Sequence, residues 1–362
     1  MNKIKIILIA AALHVMLFAS AATREYKFTE ATNLNLIGKI IEGTKNPYHR
    51  VDTCVFKGFT RDENKQVRCS AGLAVLFSTN SDVISVKADY GYYNMSTNTM
   101  GISLRGFDLY IKKDGEWLFA GSKCPKDPEK EENIILVDHM DKSMKECMLY
   151  LPMYSELNSV QIGINKSATI KALESPFRHR IGIFGSSFTQ GISSSRSGMT
   201  YPMQFMRHTG LQILSIACSG NCKLQPYFAD VLNAADLDAI IFDCFSNPSA
   251  SMIQDRLFPF IEKIQSAHPD IPLIFMQTIY RQYRNFNLSK VKQEEDKEKM
   301  AEKLMKEAVK KYKNVYFVIP DTGLDSKETS VDGIHPSDMG YLAWSRSIER
   351  PILTILYKYG IR

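Results

Sequence analysis

Residues 181–191 read IGIFGSSFTQG, an apolar run that ends in a glycine-flanked turn rich in serine and threonine. Such a run is typical of a buried strand in a parallel sheet. The turn then lies at the carboxyl edge of the sheet, where glycine allows close approach and backbone N–H groups point outward. Open α/β sheets bind ligands at this edge. We therefore expect a functional site at the turn that contains Ser186 and Ser187.

A second motif, Asp332-Gly333-Ile334-His335, lies near the carboxyl terminus. A histidine can remove the proton of a serine hydroxyl when a carboxylate fixes its tautomer and stabilises the imidazolium. Asp332 and His335 can form that pair within one short loop. Together the two motifs contain the side chains that acyl transfer requires.

Four sequence blocks resemble those of the SGNH, or GDSL-type, hydrolase family. The nucleophile of the first block falls on Ser187, and the lone glycine of the second block matches Gly220. The asparagine that ends the third block matches Asn247. The Asp-x-x-His block matches Asp332 and His335. The blocks occur in the family's order, each after the expected element.

The resemblance covers residues 178–350, with two departures from the family pattern. Ser186 stands where the family has the aspartate of Gly-Asp-Ser, and the third block lacks its usual opening glycine. The wider match is to a bacterial subgroup with a similar first block and an N-terminal β domain that contains Gly-x-Asp-Leu-Tyr. This chain reads GFDLY at residues 106–110.

The resemblance implies a mechanism in which Ser187 attacks an ester carbonyl, His335 takes its proton and Asp332 orients the histidine. It also implies an oxyanion hole formed by the backbone N–H groups of Ser187 and Gly220 and the side-chain amide of Asn247. These roles need no cofactor and no metal, and we expect neither.

Each motif also has a purely structural interpretation. A serine in a glycine-rich turn is usually a turn residue or a helix cap. Asp332-Gly333 alone indicates a turn, and Asn247-Pro248 is a common way to leave a strand. The occurrence of all these motifs together favours catalysis.

The sequence pattern changes near residue 175. Before it, short β-rich runs between polar turns predict an antiparallel sandwich, with a hairpin at Lys113–Glu116. After it, apolar strands alternate with helical stretches, which predicts a parallel sheet. The strands are expected near residues 180–184, 212–217, 239–244, 272–277 and 315–319.

The expected fold is therefore α/β, a three-layer, doubly wound parallel sheet of the flavodoxin-like type, preceded by an all-β, jelly-roll-like sandwich. The predicted division is a signal peptide at residues 1–21, a β-sandwich domain at residues 22–175 and a hydrolase domain at residues 176–362.

The first 21 residues have the pattern of a cleaved secretory signal, with two lysines, an apolar stretch and a final Ala-Ser-Ala. We expect an exported protein, periplasmic or extracellular, and no later segment is long enough to span a membrane.

Cleavage of the signal removes two lysines and lowers the net charge from +6 to +4, and a charge of +4 is too small to indicate a nucleic-acid partner. The lysine-rich stretch 290–313 interleaves glutamates, which predicts a solvated helix face. The sequence does not indicate an oligomeric state.

Seven cysteines in an exported chain permit disulfides. Pairs of Cys54 with Cys69, or Cys124 with Cys147, would close short loops, but the sequence alone leaves the connectivity open. Cys218 and Cys222 lack the histidines or second cysteine pair that a zinc site would need.

The leading hypothesis is an exported serine esterase that removes small acyl groups, acetyl in particular, from a carbohydrate or other small-molecule ester. The candidates for substrate binding are Tyr93, Asn94 and Arg196. One alternative is a carbohydrate-binding protein with a degenerate hydrolase domain, which the loss of the aspartate at position 186 keeps open. Another is a lipase or phospholipase, which should show a long apolar lid.

Overall fold

The computed structural model describes residues 24–321 and 328–362. The predicted signal peptide lies outside the described residues. Within them, an antiparallel β region, residues 26–172, precedes an α/β region, residues 178–356. The predicted fold class, a β-sandwich followed by a parallel α/β sheet, is confirmed.

The β region consists of two antiparallel sheets. Its strands are β1 (Tyr26–Glu30), β2 (Asn35–Ile37), β3 (Ala74–Thr79), β4 (Ile84–Tyr93), β5 (Phe107–Lys113), β6 (Glu116–Lys123), β7 (Ile134–Val137), β8 (Lys145–Tyr150), β9 (Ser155–Asn165) and β10 (Ile170–Ala172). The first sheet has the order β1-β9-β4-β7. The second has the order β10-β3-β8-β5-β6, with β2 also paired to β3.

The centre of the second sheet, at β3, is buried on both faces. Val75 and Phe77 of β3 pack into the sandwich core against the first sheet, whose strand β9 contributes Ile162. Ala74 and Leu76, which alternate with them, instead join a core that belongs mainly to the α/β region. Burial on both faces explains why β3 opens with an unbroken apolar run.

The predicted hairpin is confirmed. Strands β5 and β6 pair Lys113 with Glu116, which leaves a two-residue loop. Asp114 and Gly115 both have positive φ angles, 54° and 85°. Two such residues are what a type I′ turn requires, and that turn matches the twist of the strands it joins.

The α/β region is built on five parallel strands. They are β11 (Arg178–Gly185), β12 (Leu211–Ser215), β13 (Ala239–Asp243), β14 (Leu273–Met276) and β15 (Val315–Val318), as predicted within a few residues. The order is β12-β11-β13-β14-β15. Strand β11 therefore lies between β12 and β13, and the loops after these two neighbours flank its carboxyl end.

Helices of the α/β region cover both faces of this sheet. The α-helices within the described residues are α1 (Arg61–Arg68), α2 (Gly101–Arg105), α3 (Ser187–Gln190), α4 (Tyr201–Thr209), α5 (Pro226–Asn233), α6 (Ala250–Ala267), α7 (Leu288–Lys311) and α8 (Asp338–Leu356). Apolar residues of α5, α6 and α7 pack on one face, and those of α4 and α8 on the other. The result is the expected three-layer arrangement.

The two regions share their apolar cores. Ile40, Val51 and Val67 of the β region belong to the cluster formed by α5, α6 and α7. The predicted boundary at residues 175–176 falls between β10 and β11. The existence of two independent domains stays a prediction.

The seven cysteines are all free thiols, so the two pairings considered from the sequence are not formed. Cys54 is exposed whereas Cys69 is buried, and Cys147 is buried in the sandwich core. In the part of the chain that the structure describes, no helix is both long and apolar enough to cross a membrane.

Candidate active site

Ser187 lies in the turn that follows β11, at the first position of the short helix α3. Gly185 is required here because a Cβ atom would meet the Thr189 hydroxyl at 1.8 Å. Ser186 is fully buried, and its hydroxyl accepts a hydrogen bond from the Phe188 backbone N–H at 3.3 Å. Ser186 is therefore the helix cap, and the Ser187 hydroxyl is left for another partner.

That partner is His335. Its Nε2 atom lies 3.0 Å from Ser187 Oγ, and its Nδ1 atom lies 2.8 Å from Asp332 Oδ2. The other carboxylate oxygen accepts the backbone N–H groups of Ile334 at 2.9 Å and His335 at 2.7 Å. The turn thus holds the carboxylate within hydrogen-bond distance of the imidazole. The structure brings the three predicted catalytic residues together.

The carboxylate of Asp332 is held in its charged form. Burial opposes the charge, but hydrogen bonds from the His335 side chain, nearby backbone N–H groups and Asn98 outweigh it and lower the pKa of Asp332 to about 2. An ionised carboxylate at this position favours a proton on Nδ1 and leaves Nε2 able to accept one.

Gly220 lies in the loop after β12, on one side of the Ser187 turn. Its φ of 71° is in the left-handed region, which explains a glycine at this position. The preceding residue, Ser219, is held at three atoms. Its N–H donates to Gln190 at 2.9 Å, its hydroxyl contacts the Tyr154 hydroxyl at 2.7 Å and its carbonyl accepts from Gln66 at 3.0 Å.

Asn247 lies in the loop after β13, on the other side of the turn. Its Oδ1 atom accepts the Cys222 backbone N–H at 3.2 Å. This contact orients the amide, because its oxygen faces the Cys222 N–H and its NH₂ group therefore faces away from Cys222. The side chain can therefore act as a donor, as an oxyanion site would require.

A buried ion cluster that the sequence analysis missed supports the Asn247 loop. The carbonyl of Ser246 accepts from Arg281 at 3.1 Å and from Lys297 at 3.0 Å, and both cations bind Glu294. Burial, together with the charge of Arg281, lowers the pKa of Lys297 to about 8. Next to this cluster is a cleft of about 850 Å³, whose lining includes Asn247 and Ile334.

Asp243, at the end of β13, was also not predicted as a functional residue. It is buried and accepts hydrogen bonds from Thr189 at 2.8 Å and Tyr201 at 3.2 Å. Burial raises the pKa of Asp243 to about 6, although these two hydrogen bonds oppose the shift. The carboxylate ties the nucleophile turn to the neighbouring strand.

The three predicted substrate-binding residues have other contacts. The Tyr93 hydroxyl donates to Glu129 at 3.0 Å, and the Asn94 backbone N–H donates to the Tyr154 carbonyl at 3.1 Å. Arg196 donates to Asp108 at 2.9 Å. Their roles in substrate binding stay predictions.

The Arg196 contact explains the GFDLY motif. Asp108 is buried, and it accepts from the Arg196 guanidinium and, at 2.7 Å, from the Gly198 backbone N–H. The Tyr110 hydroxyl accepts from the same guanidinium at 2.6 Å. The motif thus binds the β region to the segment that follows the nucleophile turn.

No group of three or more His, Cys, Asp or Glu side chains is placed to hold a metal ion within residues 24–321 and 328–362.

The loop 94–99, which contains the sequence candidate Asn94, does reach the active site at another residue. Asn98 Nδ2 donates to Asp332 Oδ2 at 2.7 Å. The polar composition of this loop was the only sequence signal for that contact.

Two family matches cover most of the chain. Residues 26–170 match the GxDLY family, described as the N-terminus of SGNH-hydrolase-type esterases. Residues 178–353 match the GDSL-like lipase/acylhydrolase family. No curated protein matches the chain.

Solved structures share the fold over nearly the whole chain. A salicylyl-acyltransferase from a tetracycline biosynthetic pathway is 17% identical, with a TM-score of 0.66 and coverage of 91% of this chain and 97% of that one. A family two carbohydrate esterase from Cellvibrio japonicus is 12% identical, with a TM-score of 0.60 and coverage of 92% and 99%. At these identities the likeness shows the fold alone.

A protein from Bacteroides ovatus, described as a GDSL-like lipase, is much more similar. It is 37% identical, with a TM-score of 0.88, and the match covers 92% of this chain and 98% of that one. With this identity along both chains, and with the two family matches in the same order, the chain belongs to the GDSL-like lipase/acylhydrolase family, in the SGNH form that carries a GxDLY N-terminal region.

Proposed function

We propose that the protein is an exported serine esterase that hydrolyses small acyl esters, in particular acetyl esters of carbohydrates. The observation that carries the proposed mechanism is the hydrogen-bonded array at the sheet edge. Ser187 Oγ lies 3.0 Å from His335 Nε2, and His335 Nδ1 lies 2.8 Å from Asp332 Oδ2. This is the order of contacts by which a serine hydrolase activates its nucleophile.

In the first half of the reaction, Ser187 Oγ bonds to the ester carbonyl carbon while its proton passes to His335 Nε2. Asp332 stabilises the resulting imidazolium. The negative charge on the carbonyl oxygen is met by the backbone N–H groups of Ser187 and Gly220 and by the Asn247 amide. The imidazolium then protonates the alcohol oxygen as the C–O bond breaks, which leaves an acyl group on Ser187.

In the second half, His335 removes a proton from water, and the water oxygen attacks the acyl carbon. The same oxyanion donors stabilise the second tetrahedral intermediate. Collapse of that intermediate breaks the bond to Ser187 Oγ, which recovers its proton from His335. The carboxylic acid leaves and the enzyme returns to its starting state.

The shape of the site supports a short acyl group. The apolar space enclosed by Phe188, Pro336 and Trp344 has no room for a water molecule, so an alkyl chain does not fit in this space beside the nucleophile turn. The open cleft beside Asn247 has apolar surface but also the charged side chains of Arg281, Glu294 and Lys297, which can bind the hydroxyl groups of a sugar alcohol. A lipase-type function has no such support.

The carbohydrate part of the proposal is supported by proteins of the same fold. Family two carbohydrate esterases from Cellvibrio japonicus and Clostridium thermocellum share it, the latter in complex with cellohexaose. Export is supported by the signal-like first 21 residues. An exported esterase would meet acetylated polysaccharides outside the cytoplasm.

Ester turnover tests the proposal. We expect purified residues 22–362 to hydrolyse 4-nitrophenyl acetate faster than the butyrate and octanoate esters, and to release acetate from acetylated oligosaccharides. Ser187→Ala should lose at least about a thousandfold in kcat, because the nucleophile is removed. Ser186→Ala is the matched control and should retain most activity.

Three results would contradict the proposal. Activity that depends on Ser186 rather than Ser187 would reassign the nucleophile. Preference for the octanoate ester would indicate a lipase. Tight binding of an oligosaccharide without turnover of any ester would indicate a binding protein.

A further inference from the structure

A loop of the β region takes part in the active site. Residues 94–99 connect β4 with α2, and Asn98 Nδ2 donates to Asp332 Oδ2 at 2.7 Å. The same oxygen accepts the hydrogen bond from His335 Nδ1. Three of the four hydrogen bonds to this carboxylate come from its own turn, and the fourth comes from the other region of the chain.

The Asn98 amide is held in one orientation. Its Oδ1 atom accepts the hydroxyl of Ser96 and, at 3.2 Å, the hydroxyl of Thr99. With the oxygen occupied by two donors, the NH₂ group is the end that faces Asp332. An amide does not titrate in the physiological range, so this donor is present at every working pH.

The loop backbone is fixed to the segment that follows the nucleophile. The Ser193 hydroxyl donates to the Asn98 carbonyl at 2.8 Å, and the Ser193 N–H donates to the Thr99 hydroxyl at 3.0 Å. Ser193 comes shortly after α3, which begins with Ser187. Asn98 therefore joins the loop that carries Ser187 to the loop that carries His335.

We propose that Asn98 is a positioning residue for the reaction, which sets the orientation of the Asp332 carboxylate and thereby that of the His335 ring. The proposal rests on the proposed serine-esterase function. A hydrogen bond to an ionised carboxylate is stronger than one between neutral groups. Because the Asp332 side chain retains 26% exposure, water competes for the position and the effect should be moderate.

Asn98→Ala removes the donor and tests the proposal directly. We expect kcat for 4-nitrophenyl acetate to fall about tenfold, the lower end for loss of a hydrogen bond to a charged group. KM should change by less than about twofold, because the acyl transfer step is affected and not binding. The unfolding midpoint in urea, measured on the same samples, checks that the variant is folded.

Asn98→Asp adds a readout that a merely structural role would not change. A second carboxylate beside Asp332 favours the protonated imidazole, so the acidic limb of the pH–rate profile should move to higher pH. The charges of Asp332 and Asp338 both act on the buried Tyr341, and these three groups are unchanged in this variant.

Asn158→Ala is the matched control. Its Nδ2 atom donates to Asp89 at 3.2 Å on the surface of the β region, so an asparagine-to-aspartate contact is lost away from the proposed triad. Its kcat and pH profile should equal those of the wild type. Wild-type kcat in Asn98→Ala would overturn the proposal, and a rise in KM alone would make Asn98 a substrate contact.

The two proposals fail in different ways. The esterase function is tested by whether the wild type hydrolyses esters and Ser187→Ala does not. The positioning role of Asn98 is tested by the ratio of kcat in Asn98→Ala to kcat in the wild type. If the wild type hydrolysed no ester, the rate of Ser187 labelling by diisopropyl fluorophosphate would replace kcat. We expect labelling to slow by a similar factor in Asn98→Ala, and an equal rate would overturn the inference.

Discussion

The α/β region supplies the side chains of the proposed triad, whereas the β region supplies contacts that hold the loops on which they lie. Ser187, Asp332 and His335 all come from the first of these regions. On the oxyanion side, the β region contributes a buried arginine, Arg50, and the side chain of Tyr154. The reacting groups therefore all come from one region of the chain, whereas the contacts that hold their loops come from both regions.

The framework on the oxyanion side is extensive. The fully buried guanidinium of Arg50 donates to the carbonyls of Ala217 at 2.9 Å and Ser215 at 3.4 Å, and also to Cys69 and Gln66 within its own region. These contacts fix the chain just before Gly220. The β region therefore helps to position the loop that carries Gly220, one of the proposed oxyanion donors.

Replacing Arg50 should have the largest effect. Arg50→Met fills a similar volume but removes the guanidinium donor from four carbonyls, of which that of Gln66 still accepts the Cys69 N–H. Each buried carbonyl left unsatisfied is costly. We expect the free energy of unfolding to fall by at least about 3 kcal/mol. Urea titration followed by circular dichroism measures this loss.

Arg180→Met is the control for that measurement. Arg180 also binds carbonyls, those of Asp236 at 2.8 Å and Lys39 at 3.4 Å, but its side chain is 27% exposed. Water can replace the Arg180 guanidinium at these carbonyls, so the free energy of unfolding should fall by less than about 1 kcal/mol. Equal losses for the two arginines would show that burial of the Arg50 contacts does not matter.

The second prediction stays inside the α/β region and concerns pH. The pKa of Asp243 is raised to about 6 in the folded protein, above its ordinary value of 3.8, because the carboxyl is buried. The folded state therefore binds its proton more tightly, and stability from this group is present below pH 4 and lost as pH rises through 6. Asp243→Asn should flatten that dependence.

The expected difference is on the order of 2 kcal/mol between pH 4 and pH 7. Urea midpoints of the wild type and Asp243→Asn, measured across that range, give the two slopes. Parallel slopes would show that Asp243 does not titrate in this window.

The sequence was sufficient for those parts of the protein that depend on local patterns. Apolar runs bounded by turns identified all five parallel strands, and two short motifs that resemble the blocks of a known family identified Ser187, Asp332 and His335 as candidates. These three residues come together because of the topology: the loops that follow parallel strands all lie at the carboxyl edge of the sheet.

The contacts between regions could not be predicted from the sequence. Asn98 and Asp332 meet only because the β region docks on the α/β region, and the polar composition of loop 94–99 does not identify Asp332 as its partner. The lysine-rich stretch shows a second limit. It forms α7 as predicted, but Glu294 and Lys297 are buried rather than solvated because Arg281 lies opposite them.

The third prediction concerns Tyr154. Tyr154→Phe keeps the ring and removes only the hydroxyl that contacts Ser219 beside Gly220. We expect kcat to fall about fivefold to tenfold through looser oxyanion donors, with a stability loss of about 1 kcal/mol. Tyr312→Phe, which removes a hydroxyl bound to the exposed Glu262, should change neither quantity. Unchanged kcat in Tyr154→Phe would separate the β region from the oxyanion loop.

The smallest effect is expected at the residue next to the nucleophile. Ser186 belongs to the α/β region, and its hydroxyl caps the short helix α3 without contact to His335 in the array described above. Loss of a helix cap costs about 1 kcal/mol at most sites, and less where the helix has a single turn. Ser186→Ala should therefore keep more of the wild-type kcat than Tyr154→Phe does, although Tyr154 is far away in sequence. Measuring both variants with one ester at one pH ranks them. The reverse order would mean that proximity to Ser187 along the chain matters more than the framework from the β region, and the comparison of the two regions would have to be abandoned.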